Sequence, residues 1–418
     1  MKKRLHIGIF RSIISCTLVF SMSSCATTIG TPQPAEIDVR TLDVGKYPVD
    51  PYPISIQYPH DWHSARELAA IRLADAVILG TEINQDLIYG TGQVITLAPS
   101  STLALTESNW AVLERNGFLY GFATGRTNTA VESAGVIFPG DNWISEPSRR
   151  KERPTFISIL AMQFPDESSA AKAATELEDT DFRVAAEQNA PVLLPKYQNA
   201  HAHWRPGIPS LGSTLAIGRY VLYLNVGLPD PDLAQLVSVT EQVYDRQLPM
   251  LDKLPSLTRR QILELELDPH QVLDRTLVES RRAEPESESF AAWGLQGYLN
   301  RQFNATALQR AFETAGADGF GQSAISLVIR TRDRDAAHDL APILLRPPLD
   351  EIASADPVPK IPNGNCAEHT NLSRIDRRER RFTCAITYNR YVSLVGSEQL
   401  IDAHQLAAAQ YALLANTW

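Results

Sequence analysis

The chain has 418 residues, of which 44% are hydrophobic and 21% charged, and a formal net charge of −9 at pH 7. That length and apolar content are enough for two or three domains, each with a core of its own. The acidic balance argues against nucleic acid as a partner and against adhesion to anionic lipid by charge alone.

Lys2, Lys3, Arg4 and Arg11 open the sequence without an acid, and an apolar run follows from Ile13 to Met22. A basic start, a short apolar stretch and then small residues form an export signal, too short for a membrane-spanning helix. The block Met22-Ser23-Ser24-Cys25 resembles the lipobox of bacterial lipoproteins, with Met22 where Leu is usual. The resemblance implies that residues 1–24 are a lipoprotein signal peptide and that Cys25 is acylated, palmitate included. The protein is then expected at the extracytoplasmic face of the cell membrane, since two or more acyl chains give a stable anchor. Loss of the signal takes the net charge from −9 to −13. No later stretch offers the roughly 18 uninterrupted apolar residues that a second anchor needs.

Residues 25–63 are expected to be the acylated cysteine and an extended tether, given Pro32, Pro34, Pro48, Pro51, Pro53 and Pro59 and little apolar periodicity. Leu68, Ile71, Leu73, Ala76 and Leu79 then recur at broadly helical spacing, which predicts a helix over 65–79 with Ser64 as N-cap and Gly80 as stop.

Further along, the sequence repeats itself. Ile157-Ser158-Ile159-Leu160-Ala161, Pro165-Asp166-Glu167 and Ala170-Ala171-Lys172-Ala173 match Ile325-Ser326-Leu327-Val328-Ile329, Asp333 and Ala336-Ala337-His338-Asp339. Each set is a β-rich run, an acidic helix start and an alanine-rich helix, with Asp166 and Asp333 placed to cap. Gly218-Arg219-Tyr220-Val221-Leu222-Tyr223 then matches Asn389-Arg390-Tyr391-Val392-Ser393-Leu394. Two matched units in the same order point to a duplicated β-α-β-α module. The expected fold is α+β: two tandem related modules, each a small antiparallel sheet packed by helices in a ferredoxin-like arrangement. Residues 64–253 form the first module, 254–288 a linker and 289–418 the second. Within the linker, the charged run from Arg281 to Glu288 reads as exposed.

Once the signal is removed and Cys25 is acylated, Cys366 and Cys384 remain, and an even pair in an exported protein predicts a disulfide. The competing two-cysteine metal site lacks a Cys-x-x-Cys partner and has only His369 nearby. The helix Arg66-Glu67-Leu68-Ala69-Ala70-Ile71, the segment Gly117-Phe118-Leu119-Tyr120-Gly121-Phe122-Ala123-Thr124, the joint Leu267-Asp268-Pro269-His270 and the terminal Ala408-Ala409-Gln410-Tyr411-Ala412-Leu413-Leu414 are also informative. Together they resemble a lipoprotein family of mycolic-acid-bearing actinobacteria, of mycobacterial and nocardial type, built on a domain of unknown function. The resemblance covers nearly all of the mature chain and implies address and architecture; it brings no catalytic residue with it.

Candidate sites are few. His201 and His203 flank Ala202, so a strand would turn both to one face as metal ligands need, but no third ligand has a matching spacing. His60 and His63 beside Trp62 are weighed alike. Gly316, Gly319 and Gly321 follow a helix and precede a strand, the reverse of a dinucleotide loop, and read as a helix stop and turn. Glu264 and Glu266, and Asp166 and Glu167, stand where caps and solvated faces put acids. Tyr220 and Tyr223 must point to opposite faces of one strand. No residue is assigned to catalysis, a cofactor or a metal. The expectation is a non-enzymatic envelope protein that binds a ligand or protein partner, with the cleft between modules as the expected place, and a hydrolase of an envelope substrate as the alternative.

Overall fold

A computed structural model of the chain describes residues 37–417 apart from 52, 55–57, 104, 130–152, 279–283, 347–351 and 371–379. The signal peptide, Cys25 and the first part of the tether lie outside the described residues. Helix α1 spans Trp62–Ala74 and is followed by strands β1 (Tyr89–Ile95), β2 (Tyr120–Thr127) and β3 (Phe156–Gln163), with α2 (Trp110–Arg115) between the first two. Helix α3 (Glu167–Val184) leads to β4 (Ala190–Pro191), β5 (His201–Trp204), β6 (Ser210–Ile217), β7 (Tyr220–Gly227) and α4 (Leu233–Asp252). After α5 (Arg259–Leu263) come β8 (Phe290–Trp293), α6 (Leu295–Arg301), α7 (Ala305–Ala315), β9 (Gly319–Ser323), β10 (Ser326–Arg330) and α8 (Arg334–Leu344). The chain closes with β11 (Ile352–Ala355), β12 (Asn365–His369), β13 (Phe382–Tyr388), β14 (Tyr391–Ser397) and α9 (Leu400–Asn416).

The two sheets run β1-β2-β3-β7-β6-β5-β4 and β8-β9-β10-β14-β13-β12-β11, so the second copies the first strand for strand. Neighbouring strands are antiparallel throughout. Each sheet is larger than a four-stranded ferredoxin-like sheet, because flanking strands extend it on both sides. The duplication holds at atomic detail. Asp166 caps α3 through Ser169 N at 2.7 Å and Asp333 caps α8 through Ala336 N at 2.8 Å. Phe164 N donates to Arg219 O at 2.8 Å, and Thr331 N to Arg390 O at 2.9 Å. Gly218 and Asn389 open the matching β6–β7 and β13–β14 turns with φ of 53° and 50°, a left-handed conformation that Gly and Asn adopt most readily.

One part of the expected match is shifted. Tyr220 pairs with Gln163 and Tyr391 with Arg330, which places Ile159 opposite Ser326 and makes Leu160 and Met162 the counterparts of Leu327 and Ile329. A one-residue slip exchanges the faces of a strand. Leu160 and Met162 accordingly pack with Ala170, Ala173 and Leu177 of α3. Ile157, Ile159 and Ala161 face the other layer, with Leu236, Val243 and Tyr244 of α4. Ile325 and Leu327, expected to be buried like Ile157 and Ile159, are only half-buried. Ser326, expected to share a face with Ser158, instead donates from below α9 to Gln410 Oε1.

Three boundaries also change. The first helix is capped by Asp61, whose carboxylate accepts from Ser64 N at 3.0 Å, and it ends at Ala74 rather than at Gly80. The part of the expected tether from Asp38 onward is not free: Tyr47 Oη donates to Asp402 at 2.8 Å, Asn416 Nδ2 to Val49 O at 3.0 Å and Lys360 Nζ to Thr41 O at 2.6 Å. Prolines keep this segment out of the ladders, but the buried Ile54 and Tyr58 pack with Leu68, Leu267, Val272 and Phe290. The expected linker 254–288 carries the buried side chains Leu257, Ile262, Leu267, Val272, Leu273 and Leu277. Part of its charged run lies outside the described residues, while Ser287 is buried and its N–H meets Glu67 Oε1 at 2.8 Å.

Helix α6 joins the modules. Asp75, just beyond α1, accepts from Gly294 N at 3.1 Å and Gly297 N at 2.7 Å, at the helix N-terminus. A Cβ on Gly294 would stand 2.6 Å from the Asp75 carboxylate, so only glycine admits this approach. At the other end Arg126 of β2 donates to Leu299 O, Asn300 O and Gln302 O at 2.9, 2.7 and 2.7 Å. Acid at the N-terminus and base at the C-terminus both match the helix dipole.

Candidate functional site

A groove opens at the end of the first sheet where β3 begins and β7 ends. Its near wall is the loop after α1, and one buried side chain sets that loop. Gln247 of α4 accepts from Ile78 N at 3.1 Å and donates to Ala76 O at 2.6 Å. The loop then turns on itself: Asn84 N bonds Gly80 O at 3.0 Å, and Asn84 Oδ1 accepts from Asp86 N at 3.0 Å. Ile83, Asn84, Gln85 and Asp86 are thereby held along the groove.

Val239 and Gln242 of α4 form the opposite wall, and Thr155, Ile157 and Leu228 complete the lining. The volume is about 490 Å³, within the range of sites that hold small ligands. Its floor is aliphatic, from Ile83, Ile157, Leu228 and Val239, and its rim carries three carboxamides, Asn84, Gln85 and Gln242, beside Asp86. Such a surface can desolvate an apolar group while exchanging hydrogen bonds at the edge.

The residues singled out from sequence do not line this groove. His201 and His203 do share a face, but it is turned under α3, where each has its own partner. His203 Nδ1 lies 2.8 Å from Glu178 Oε1, and His201 Nε2 lies 3.2 Å from Thr175 Oγ1. Burial pushes the His203 pKa down, but the hydrogen bond and charge of Glu178 outweigh it and the net shift is upward. Beside them Asp181 accepts from Tyr223 Oη at 2.6 Å and Asn109 Nδ2 at 2.7 Å, while burial raises its carboxyl pKa against those bonds. This cluster pins α3 to the sheet. A histidine whose folded pKa is raised adds stability below its unfolded pKa, and that contribution is lost as pH rises through the folded value. His203→Gln should therefore destabilise more at about pH 5 than at about pH 8. Denaturant unfolding at both values checks this, and an equal loss at the two would contradict it.

His60 donates to Leu263 O at 2.8 Å and packs at a tilt against Tyr58, while His63 is exposed, so that pair does not converge. Gly316 caps α7 with φ 59°, as a helix stop requires, whereas Gly319 and Gly321 lie within β9. A Cβ on Gly321 would meet Val272 O at 2.7 Å. Tyr220 and Tyr223 take opposite faces, Tyr220 toward α4 and Tyr223 toward Asp181. Cys366 and Cys384 are disulfide-bonded across directly paired positions of β12 and β13. Among the described residues, Cys366, Cys384 and His404 are the one trio with ligand atoms close together, and there the sulfurs are already joined. His369 meets Thr383 Oγ1 at 3.2 Å. No helix among the described residues is long and apolar enough to cross a membrane.

The residues that shape the groove and the joint, Gln247, Asp75 and Arg126, escaped the sequence reading. A polar residue on the helix face shared by Leu236, Val243, Tyr244 and Leu251 was the available signal for Gln247, because a buried amide must find partners.

The N-terminal part of the DUF7373 domain of unknown function matches residues 56–267, and its C-terminal part matches residues 272–417. The boundary falls on the turn at Asp268, whose carboxylate accepts from Val272 N and Leu273 N at 3.0 and 2.7 Å. No curated protein matches the chain. Among solved structures, the extracellular domain of PknH from Mycobacterium tuberculosis is similar over 42% of this chain and 93% of that one, at 11% identity and a TM-score of 0.26. A likeness of that size carries no argument about fold or function.

Proposed function

The chain belongs to the DUF7373 family, and from that premise we propose a non-enzymatic cell-envelope lipoprotein of actinobacterial type that binds a ligand or partner in the first-module groove. The observation that carries the binding role is the groove itself, an aliphatic floor with an amide and carboxylate rim. The address rests on Met22-Ser23-Ser24-Cys25 and the basic, apolar run before it.

Cys25→Ser is expected to move the protein from the membrane fraction to the soluble fraction and to abolish labelling by a fatty-acid probe. Detergent-requiring membrane association that survives the substitution would overturn the anchor.

Val239→Arg tests the groove, because it places a charged side chain on an aliphatic wall at the half-buried edge of the core; unfolding of the variant beside the parent shows that its fold is kept. Native mass spectrometry of the protein from its own envelope is expected to show a bound species that this variant loses. The same bound species on both proteins would remove the groove from the function.

A further inference from the structure

The second module shows what such a groove accommodates. Gln410 of α9 repeats the role of Gln247: it accepts from Leu277 N at 3.0 Å and donates to Arg275 O at 2.6 Å. The two glutamines align the two helices. Val239 and Gln242, which line the open groove, precede Gln247 by as many residues as Asp402 and Gln405 precede Gln410. On α9 those two positions are covered by the chain's own N-terminal segment. Asp402 accepts from Tyr47 Oη at 2.8 Å, and Gln405 Nε2 donates to Asp43 Oδ2 at 3.1 Å. Gly45 lies against the same glutamine, so close that a Cβ there would stand 2.5 Å from its Oε1. The segment runs on past the helix to Val49, Ile54 and Asp274, where Ile54 N meets the carboxylate at 3.3 Å. The space left between it, the 273–278 turn and Leu413 is only about 20 Å³.

One face of a duplicated helix is thus covered by extended polypeptide in one copy and, among the described residues, open in the other. We infer that the first-module groove is a docking site for an extended peptide segment of a partner protein. The lining specifies its chemistry. Ile83, Ile157, Leu228 and Val239 take an aliphatic side chain, Asp86 takes a basic group beside it, and the Gln242 amide takes an acceptor, as Gln405 does from Asp43. With Gln85, Asp86 and Gln242 exposed at its edge, the groove suits a strand of chain, whose backbone can hydrogen-bond there, better than a lipid tail, which would remain wet.

The inference rests on the groove being the binding site. Its test is selection of a random dodecapeptide display library on the full-length protein, followed by affinity measurement with the enriched peptides made synthetically. Peptides with an aliphatic residue beside Lys or Arg are expected to be enriched. They should bind at least tenfold more weakly to Val239→Arg and to Asp86→Lys, a change at an exposed rim position that leaves the core untouched. Gln405→Ala, under the covered copy, should bind as the parent does. Peptides that bind parent and both groove variants alike, or a library without enrichment, would overturn the inference. If enrichment fails while native mass spectrometry still shows a small molecule that Val239→Arg releases, the groove stands as a ligand site and the peptide reading alone falls. If Val239→Arg changes neither readout, both fall.

Discussion

Replacing Arg126 with alanine is expected to cost the protein on the order of 5 kcal/mol of stability, a large fraction of the roughly 5–15 kcal/mol that holds a domain folded. Arg126 is 1% exposed and has no carboxylate partner among the described residues; its two Nη atoms donate to backbone carbonyls, while Nε is buried without an acceptor there. Burial pulls its pKa down to about 9, which leaves it protonated at neutral pH. The acceptors are Gly90 O of β1 and the carbonyls of Leu299, Asn300 and Gln302 at the end of α6, of which Leu299 O also accepts from Gln302 N at 3.1 Å. Removing the side chain takes a donor from each and orphans those with no other, at about 1–3 kcal/mol for each that water cannot reach, and opens a cavity as well.

Two further substitutions separate the causes. Arg126→Met keeps most of the volume but satisfies no carbonyl, so its loss should approach that of alanine. Arg126→Lys keeps the charge but offers a compact ammonium instead of a fork, and should recover part of the loss. Urea unfolding of the three variants is the measurement. Losses below about 1 kcal/mol for alanine, or methionine as stable as arginine, would show that the carbonyl set is not what arginine serves. Because Asp75 holds the opposite end of α6, Asp75→Ala should also weaken the joint, and the two losses should not be independent.

The duplication was legible in the sequence because its signals are local. An acidic cap before an alanine-rich helix, and Arg-Tyr after a left-handed turn residue, depend only on neighbours in the chain. The register between the copies was not legible to one residue. Hydrogen bonds to Arg219 O and Arg390 O set it, whereas the Ile-Ser match that suggested it is a coincidence between opposite faces. β1 and β2 went unread for a different reason: Tyr-Gly-Thr-Gly and Tyr-Gly-Phe-Ala-Thr-Gly lack alternation, and β2 is buried on both faces, which erases the period of two. The groove was hidden because its walls come from four stretches far apart in the chain, brought together by an amide that bonds backbone and so leaves no pairing in the sequence. The covered counterpart was misread as a tether because proline content reports what a segment cannot form, and is silent on what it can lie against.

Loss of the Cys366–Cys384 bond is expected to destabilise by about 3 kcal/mol, the chain-entropy value for a closed loop of this order. The two residues are 18 apart in sequence and face each other directly in the β12–β13 ladder, with both side chains buried. Their strands lie on the side of the sheet that ends in β11, and β12 is held to each neighbour over only four paired positions. An edge so short is stabilised chiefly by whatever limits its freedom when unpaired. The double variant Cys366→Ala, Cys384→Ala avoids a stray thiol and should show the loss in urea unfolding. Its effect should also be local. Amide exchange should quicken in β11 and β12, while β10 and β14, which pair with each other on the far side of β13, stay protected. Two free thiols by intact-mass analysis of the exported protein would contradict the bond itself. A variant as stable as the parent would show instead that the ladder, and not the crosslink, holds the edge.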